Sequence, residues 1–217
     1  IVELCSPHTM LVNKHGKRFA DETFFQGIVP HLRHFDPVRH EHANLPAYLI
    51  FDSQYLAKFS FANEPVGSPV PASLTRADSI EALAGKLGID AGPLGATIER
   101  FNGFVDAGVD PDFHRGENQW KLASAKTPRG VNATLGSIDA PPYYGIQLHP
   151  SAPGSVGLLS DENGQVVHLR RHKIAGLYAS GNVAAATEFA IGYQAGLSLA
   201  GSMTFSYLAV KHMLSGG

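Results

Sequence analysis

The part of this chain that constrains its fold most is a glycine-rich stretch near the C-terminal end. Residues 176–209 read GLYASGNVAAATEFAIGYQAGLSLAGSMTFSYLA. The pattern predicts a short strand, a glycine turn at residues 180–182, a glycine-spaced loop and a helix that begins near Ser198 and Leu199. Small residues at the turn and the helix start leave backbone N–H groups accessible, which suits the pyrophosphate and the electron-rich ring edge of a flavin cofactor. The same spacing also fits a helix that merely packs against a sheet.

Three further motifs precede this stretch, and their order adds information. Residues 10–22 read MLVNKHGKRFADE, residues 91–116 read AGPLGATIERFNGFVDAGVDPDFHRG, and residues 141–167 contain PPYYGIQL and PGSVGLLSDENGQVV. They resemble the VN-x-x-G-x-R-F-x-x-E motif, the D-x-D-F-x-R-G segment, and the P-P-F-Y-A strand with its glycine hairpin in the fumarate reductase/succinate dehydrogenase flavoprotein superfamily. The ketosteroid-dehydrogenase-like branch is the most similar. This resemblance implies an FAD-dependent oxidoreductase that acts on CH–CH bonds.

The G-x-G-x-x-G motif that binds the FAD pyrophosphate in these flavoproteins does not occur in the sequence. We therefore expect an α+β fold made of a substrate-cap domain plus the C-terminal strands and helix of an FAD-binding α/β domain. The predicted domains are a cap at residues 1–141 and the C-terminal part of the FAD-binding domain at residues 142–217. The predicted partner of both is an N-terminal FAD-binding portion, without which we expect the 217 residues to bind FAD poorly and to be inactive.

Composition excludes several other classes of protein. Of the 217 residues, 44% are hydrophobic and 17% are charged, and the net charge of −2 gives no basic face for nucleic acid or for a membrane surface. Cys5 is the single cysteine, which leaves no disulfide framework or cysteine zinc site and favours the cytoplasm. Residues 189–210 are long enough to span a bilayer, but their glycines, serines and glutamine predict a buried helix instead.

Local patterns predict most of the remaining elements. They are strands at residues 10–13, 47–51 and 145–148, helices at residues 79–87 and 91–107, and a hairpin within residues 157–169. Thr75 and Asp78 resemble a capping box for the first of these helices, and Asp90 is the predicted cap of the second. The dipeptide Asn163-Gly164 is a favoured two-residue turn for the hairpin.

The resemblance also assigns cofactor-binding residues. Gly181 and Asn182 match the positions whose backbone and side chain meet the FAD pyrophosphate and ribityl chain. Ser198 and Leu199 match those whose N–H groups face the N1/O2 edge of the flavin. Oriented N–H dipoles at that edge stabilise the negative charge of a reduced flavin.

Two positions bear on the substrate. Fumarate-type reductases grip their dicarboxylate with an arginine that aligns with Tyr193, and they donate a proton from a second arginine that aligns with Gln26. Because a dicarboxylate requires paired cations, fumarate reduction is not expected. In ketosteroid dehydrogenases a tyrosine hydroxyl and a glycine N–H bind the ketone oxygen, and Tyr193 and Gly196 resemble that catalytic pair. Tyr193 stands one residue closer to its glycine than in the family's Y-P-G-x-G.

The catalytic base is the weakest part of the match. Ketosteroid dehydrogenases carry a base tyrosine just after the motif glutamate, where this chain has Thr23, Phe24, Phe25 and Gln26, none of which accepts a proton at neutral pH. The base then comes from the N-terminal portion or from another cap residue, or the substrate differs. The two phenylalanines fit either an apolar, steroid-like pocket or ordinary core packing.

The sequence thus predicts a flavoenzyme that dehydrogenates or reduces a C–C bond beside the carbonyl of a hydrophobic ketone. Two alternatives stay open: a related flavoenzyme that acts on an unsaturated acid, and a small-molecule-binding domain without redox chemistry. Arg18 and Glu22 are expected to form an ion pair that braces the cap. No metal site is expected, because the spacing of the histidines at positions 31, 34, 40 and 42 matches no known metal site.

Overall fold

The computed structural model describes residues 2–117, 132–149, 157–185 and 196–216, apart from the side chains of residues 2, 25 and 26. The chain divides into two compact units, an N-terminal unit, Ile1–Pro150, and a C-terminal unit, Ser151–Gly217. Each unit is described by itself below.

The described part of the N-terminal unit combines helices of 4 to 17 residues with antiparallel strands. Its helices are α1 (Val2–Cys5), α2 (Phe25–Leu32), α3 (Ser53–Lys58), α4 (Ile80–Leu87) and α5 (Ala91–Ala107). Its strands are β1 (Thr9–Asn13), β2 (Phe35–Asp36), β3 (Glu41–His42), β4 (Ala47–Asp52), β5 (Thr75–Ala77) and β6 (Tyr143–Leu148). An antiparallel sheet has the strand order β1-β4-β6-β5, and β2 pairs with β3 separately.

Both faces of this sheet are covered, which explains why β4 is an uninterrupted apolar run rather than an alternating one. Every residue of β4 is buried. Tyr48 and Ile50 face one core, together with residues of α4 and α5 such as Leu83 and Phe101. Their neighbours in β4 point to the opposite face, where Phe51 packs in a second core with residues of α3. The strands predicted at residues 10–13 and 47–51 are therefore confirmed.

Helices α4 and α5 end where the sequence predicts, but α4 is capped differently. Asp90 caps α5 through the Gly92 N–H at 3.3 Å, as predicted. The capping box proposed for α4 is wrong, because Thr75 lies in β5 opposite Gly145. Ser79 is the N-cap instead, and its Oγ accepts the Ala82 N–H at 3.1 Å. A serine directly before the helix satisfies a first-turn N–H without help from residues further upstream.

In the C-terminal unit, the described residues form a hairpin and a long helix. Strands β7 (Gln165–Val167) and β8 (Lys173–Tyr178) are antiparallel, a 3₁₀ turn covers Gly181–Val183, and α6 spans Leu197–Leu214. The predicted hairpin is found, but its turn is not the predicted two-residue turn at Asn163-Gly164. The Asp161 N–H donates to the Gln165 carbonyl at 2.9 Å, and the loop between them has Gly164 at φ 74°, with its N–H donating to the Asp161 carbonyl at 3.0 Å. The predicted helix start is also close, since α6 begins at Leu197 with Gly196 as its left-handed N-cap.

The chain divides into the two compact units after Pro150, and the domain boundary predicted at Pro141-Pro142 lies within the N-terminal unit. The difference is β6, which pairs with both β4 and β5 inside the sheet of the N-terminal unit. Among the described helices, none combines the length and the hydropathy that crossing a bilayer requires.

Candidate functional site

The predicted flavin-binding residues of the C-terminal unit lie at two neighbouring backbone features, the 3₁₀ turn and the start of α6. Gly181 opens the turn with φ 67°, and a Cβ at this position would lie 3.4 Å from the Ser202 Oγ of α6. The Ser202 hydroxyl in turn donates to the carbonyl of Ser198 at 2.7 Å. The structure therefore brings the glycine turn against the first turns of α6.

The hydroxyl group of Ser180 holds the glycine turn against α6. Ser180 Oγ donates to the Ser202 carbonyl at 3.0 Å and lies 2.8 Å from Ser206 Oγ. On the other side of the turn, Gly157 has no room for a side chain, because a Cβ there would lie 2.5 Å from the Val183 carbonyl oxygen. These contacts hold the backbone of the turn between a strand segment and the helix.

Both polar and apolar side chains are exposed at this place. Asn182 is exposed beside Gly181, and Leu199 is 65% exposed in the first turn of α6. The first intrahelical hydrogen bond runs from the Ala200 N–H to the Gly196 carbonyl, and no acidic side chain stands in the first turn. The N-terminal end of this 18-residue helix thus carries the positive end of its dipole towards solvent.

The second predicted cluster, around Arg18 and Glu22, is a buried ion-pair network in the N-terminal unit. Arg18 donates from Nε and Nη2 to the two carboxylate oxygens of Glu22, both at 2.7 Å. The same Nη2 reaches Asp110 Oδ2 at 2.7 Å. Arg115 Nη1 lies 3.2 Å from Glu22 Oε2, and both of these side chains are fully buried. The expected pair is therefore confirmed and extended by two residues.

The network joins distant parts of the unit. Arg115 also donates to the carbonyls of Thr9 and Ser6 at 2.8 and 2.7 Å, and Glu22 Oε1 accepts the Leu11 N–H at 3.3 Å. The VN-x-x-G-x-R-F-x-x-E segment is thereby tied both to β1 and to the loop after α5. A buried pair of this kind needs all its partners, because one charge left alone in the interior is costly.

The pKa values of the two carboxyls follow from this arrangement. Burial raises the pKa of Glu22, but the charges of Arg115 and Arg18 outweigh burial and hold the pKa below its usual value. Burial also raises the pKa of Asp110, and the hydrogen bond and charge of Arg18 lower it by more. Both groups are therefore ionised at neutral pH.

These directions predict a loss of stability in acid. A carboxyl whose pKa is lowered by folding stabilises the folded state fully above the pKa of the unfolded chain, about 4, and loses that contribution as pH falls through the folded pKa. We expect the unfolding temperature to be level from neutral pH to about pH 5 and to fall below about pH 4. Asp110→Asn should flatten this acid limb, and Asp78→Asn, at an 82% exposed side chain, should not. Calorimetry across this pH range checks the prediction. A decrease in the unfolding temperature that is complete above about pH 5 contradicts it.

Other residues singled out in the sequence do not gather into a site. Thr23 is buried, and its hydroxyl lies 2.6 Å from Asp21 Oδ1. Phe24 is 39% exposed. The four histidines of the cluster, at positions 31, 34, 40 and 42, are all exposed, and within the described ranges no three metal-ligating side chains converge. Tyr193 lies outside the described residues.

The comparison with known families decides what kind of protein carries these features. Residues 2–199 match a family model described as FAD binding domain. The chain belongs to this FAD-binding family. The resemblance drawn from the four motifs is thereby confirmed, and so is the cofactor, FAD.

Known members of the family extend the comparison. The chain is 35% identical to a 3-oxosteroid 1-dehydrogenase of Mycobacterium tuberculosis (strain ATCC 25618 / H37Rv), over 96% of this chain and 39% of that protein. It is 36% identical to the 4-oxocyclohexanecarboxylate 2-dehydrogenase of Sinomonas cyclohexanicum, over 94% of this chain and 36% of that protein.

A solved structure is also similar, the 3-ketosteroid delta1-dehydrogenase of Sterolibacterium denitrificans in complex with 1,4-androstadiene-3,17-dione. It matches with a TM-score of 0.80 and 27% identity over 100% of this chain and 40% of that one. The α+β prediction is confirmed by this likeness. The chain spans about two fifths of the length of these relatives.

The described residues fit the cofactor of this family. The glycine at the turn takes a left-handed conformation in which an added side chain is strained, and the exposed helix start beside it is free of acidic side chains. Gly181, Asn182, Ser198 and Leu199 are the residues that would hold FAD here, the first two at its pyrophosphate and ribityl chain. Their assignment stays a prediction.

Proposed function

We propose that the protein is an FAD-dependent oxidoreductase that dehydrogenates or reduces a C–C bond adjacent to the carbonyl of a hydrophobic, steroid-like ketone. The observation that carries the proposal is the likeness, across the whole chain, to the steroid dehydrogenase bound to 1,4-androstadiene-3,17-dione, with a TM-score of 0.80. The 35% identity to a 3-oxosteroid 1-dehydrogenase supports the same substrate class. The dinucleotide-binding motif is proposed to lie in a partner portion outside these 217 residues, and the lone Cys5 supports a cytoplasmic enzyme.

Each proposed residue has a role that its chemistry supports. FAD, when bound, supplies the acceptor or donor of a hydride. The N–H groups of the first turn of α6 would face the bound flavin and would favour negative charge on it. The Tyr193 hydroxyl and the Gly196 N–H hold the ketone oxygen, and they stabilise the enolate that forms when a proton leaves the neighbouring carbon. Gly196 is exposed and has φ 87°, a backbone conformation in which other residues are strained.

The residue that removes this proton is not proposed within residues 23–26. The matching segment holds Thr23, Phe24, Phe25 and Gln26, none of which accepts a proton at neutral pH. The base comes from the partner portion or from another residue of the N-terminal unit.

A second candidate substrate is a smaller cyclic keto acid. The 4-oxocyclohexanecarboxylate 2-dehydrogenase is 36% identical to this chain, and the 3-oxosteroid 1-dehydrogenase is 35% identical, so sequence identity does not favour the steroid. Its substrate shares the ring ketone and adds a carboxylate. The ketone half of the chemistry, and the roles of Tyr193 and Gly196, are unchanged by this alternative.

The visible spectrum of the full-length gene product tests the proposal. Recorded without oxygen, the oxidised flavin band is expected to bleach when a saturated 3-ketosteroid is added, because two electrons pass to the cofactor. 4-Oxocyclohexanecarboxylate is added to a second sample, and the faster bleaching of the two identifies the preferred ketone. A flavin spectrum that neither ketone changes contradicts the substrate class, and a purified protein without flavin contradicts the enzyme.

A further inference from the structure

A cavity of about 320 Å³ lies in the N-terminal unit, between α5 and the loops on either side of the buried ion-pair network. Three aromatic rings line it, those of Phe101, Phe104 and Phe113. The polar lining is contributed by Lys17, Arg18, Thr97, Arg100 and Asp112. Its volume is at the lower end of the range for small-molecule sites, and its mixture of apolar walls with a few polar groups is typical of them.

One nitrogen atom among these polar groups has no hydrogen-bond partner in the described part of the chain. Arg18 uses Nε and Nη2 for Glu22 and Asp110, but its Nη1 is buried and has no hydrogen-bond acceptor among the described residues. The Arg18 side chain is only 4% exposed. A buried N–H group without an acceptor is costly, so this edge of the guanidinium is suited to an acceptor placed in the cavity that Arg18 lines.

The aromatic walls are arranged around the same group. The guanidinium carbon of Arg18 lies 5.0 Å from the centre of the Phe101 ring and 4.9 Å from that of Phe113. The two rings keep the guanidinium in place. Phe101 is fully buried, so the apolar surface next to the unpaired edge is contributed by the half-buried rings of Phe104 and Phe113. A ligand here needs an acceptor at one end and an apolar body at the other.

The charges around the cavity indicate the kind of acceptor. Arg100 is neutralised by Asp112, through two hydrogen bonds of 2.8 and 2.6 Å. Arg18 is neutralised by Glu22 and Asp110. The exposed Lys17 forms no ion pair with any described residue, so it leaves one positive charge at the cavity without a counterpart. One negative charge on the ligand balances it.

We propose that this cavity binds a small monocarboxylate with a flat apolar body. The carboxylate accepts from Arg18 Nη1 and faces Lys17, and the body packs on Phe104 and Phe113. This site is independent of the proposed redox function, because none of its residues is among those assigned to FAD or to the ketone.

Benzoate is the probe that tests the proposal, titrated into the full-length gene product and followed by calorimetry and by ligand-observed NMR. A nine-heavy-atom ligand of this kind is expected to bind with a Kd on the order of 1 mM, and benzyl alcohol, which has the ring without the charge, about tenfold more weakly. Saturation that is absent at about 10 mM benzoate, or equal binding of benzyl alcohol, overturns the proposal.

Two matched pairs of variants locate the binding. Thr97→Phe fills the cavity and is expected to weaken benzoate binding about tenfold or more, whereas Thr97→Ala leaves the cavity open and retains binding. Lys17→Gln removes the exposed charge and should weaken binding about twofold to fivefold, whereas Lys211→Gln, at an exposed lysine of α6, should not. If Thr97→Phe binds benzoate as the wild type does, the ligand lies elsewhere and the proposal is wrong. If Thr97→Phe does not fold, the lysine pair locates the ligand instead. Equal benzoate binding by Lys17→Gln and Lys211→Gln would then show that the proposal is wrong.

Discussion

Glu22→Gln is expected to destabilise the N-terminal unit by about 3–5 kcal/mol, because it removes the carboxylate that two buried arginines share. Arg18 and Arg115 would then stand near each other with Asp110 as the remaining anion of the network. Glutamine keeps the size of the side chain, so the loss reports charge and hydrogen bonding rather than a cavity. Calorimetry of the full-length gene product should show the transition lowered by roughly 6–20 °C.

Glu41→Gln is the matched control. It makes the same chemical change in the ion pair between Lys14 and Glu41, which has a similar length of 2.7 Å but a Glu41 side chain that is 42% exposed. Exposed pairs contribute about 0–1 kcal/mol, because water solvates the separated charges well. Equal losses in the two variants would show that burial does not strengthen the network.

Tyr193→Phe is expected to lower kcat for a saturated 3-ketosteroid about 10²–10³-fold, the usual effect of removing one donor to a developing oxyanion. The phenyl ring keeps the volume of the tyrosine, so any packing role is preserved. The spectrum and content of bound FAD should be unchanged, because the hydroxyl is assigned to the ketone oxygen. Anaerobic stopped-flow measurement of flavin reduction isolates the chemical step from substrate binding.

The control is Tyr207→Phe, which removes a hydroxyl from a 67% exposed tyrosine of α6 and should leave flavin reduction unchanged. Retention of kcat within about tenfold in Tyr193→Phe would mean that its hydroxyl is not a donor in the transition state, and the tyrosine would then be a packing residue. The FAD assignment to Gly181 and Asn182 would not be affected.

Local signals in the sequence were sufficient for several elements. The apolar run of β4 and the aspartate before α5 each depend on neighbours a few residues away, and both are found where predicted. The hairpin at Asn163 and Gly164 is also found, with a three-residue loop in place of the predicted two-residue turn. The capping box before α4 failed for the opposite reason. Thr75 pairs with Gly145, which is far away in sequence, and this strand pairing overrides the local pattern.

Only part of the ion-pair network could be predicted from the sequence. The spacing of Arg18 and Glu22 predicts a pair, since the two are four residues apart, and the D-x-D-F-x-R-G segment had already singled out Asp110 and Arg115. Nothing local indicates that these two segments meet, because Asp110 is 92 residues from Arg18. The orphaned Nη1 of Arg18 and the cavity beside it follow from this meeting alone.

The sequence by itself determined the family, the cofactor and the class of fold, because four motifs in a fixed order carry enough local information to identify them. It also determined the glycine turn and the helix start, whose conformations depend on small residues in adjacent positions. Only the tertiary structure decided that β6 belongs to the sheet of the N-terminal unit and that four charged side chains share one buried site. The physical reason is that strand pairing and buried charge pairing join residues remote in sequence, so they are determined by how the whole unit packs.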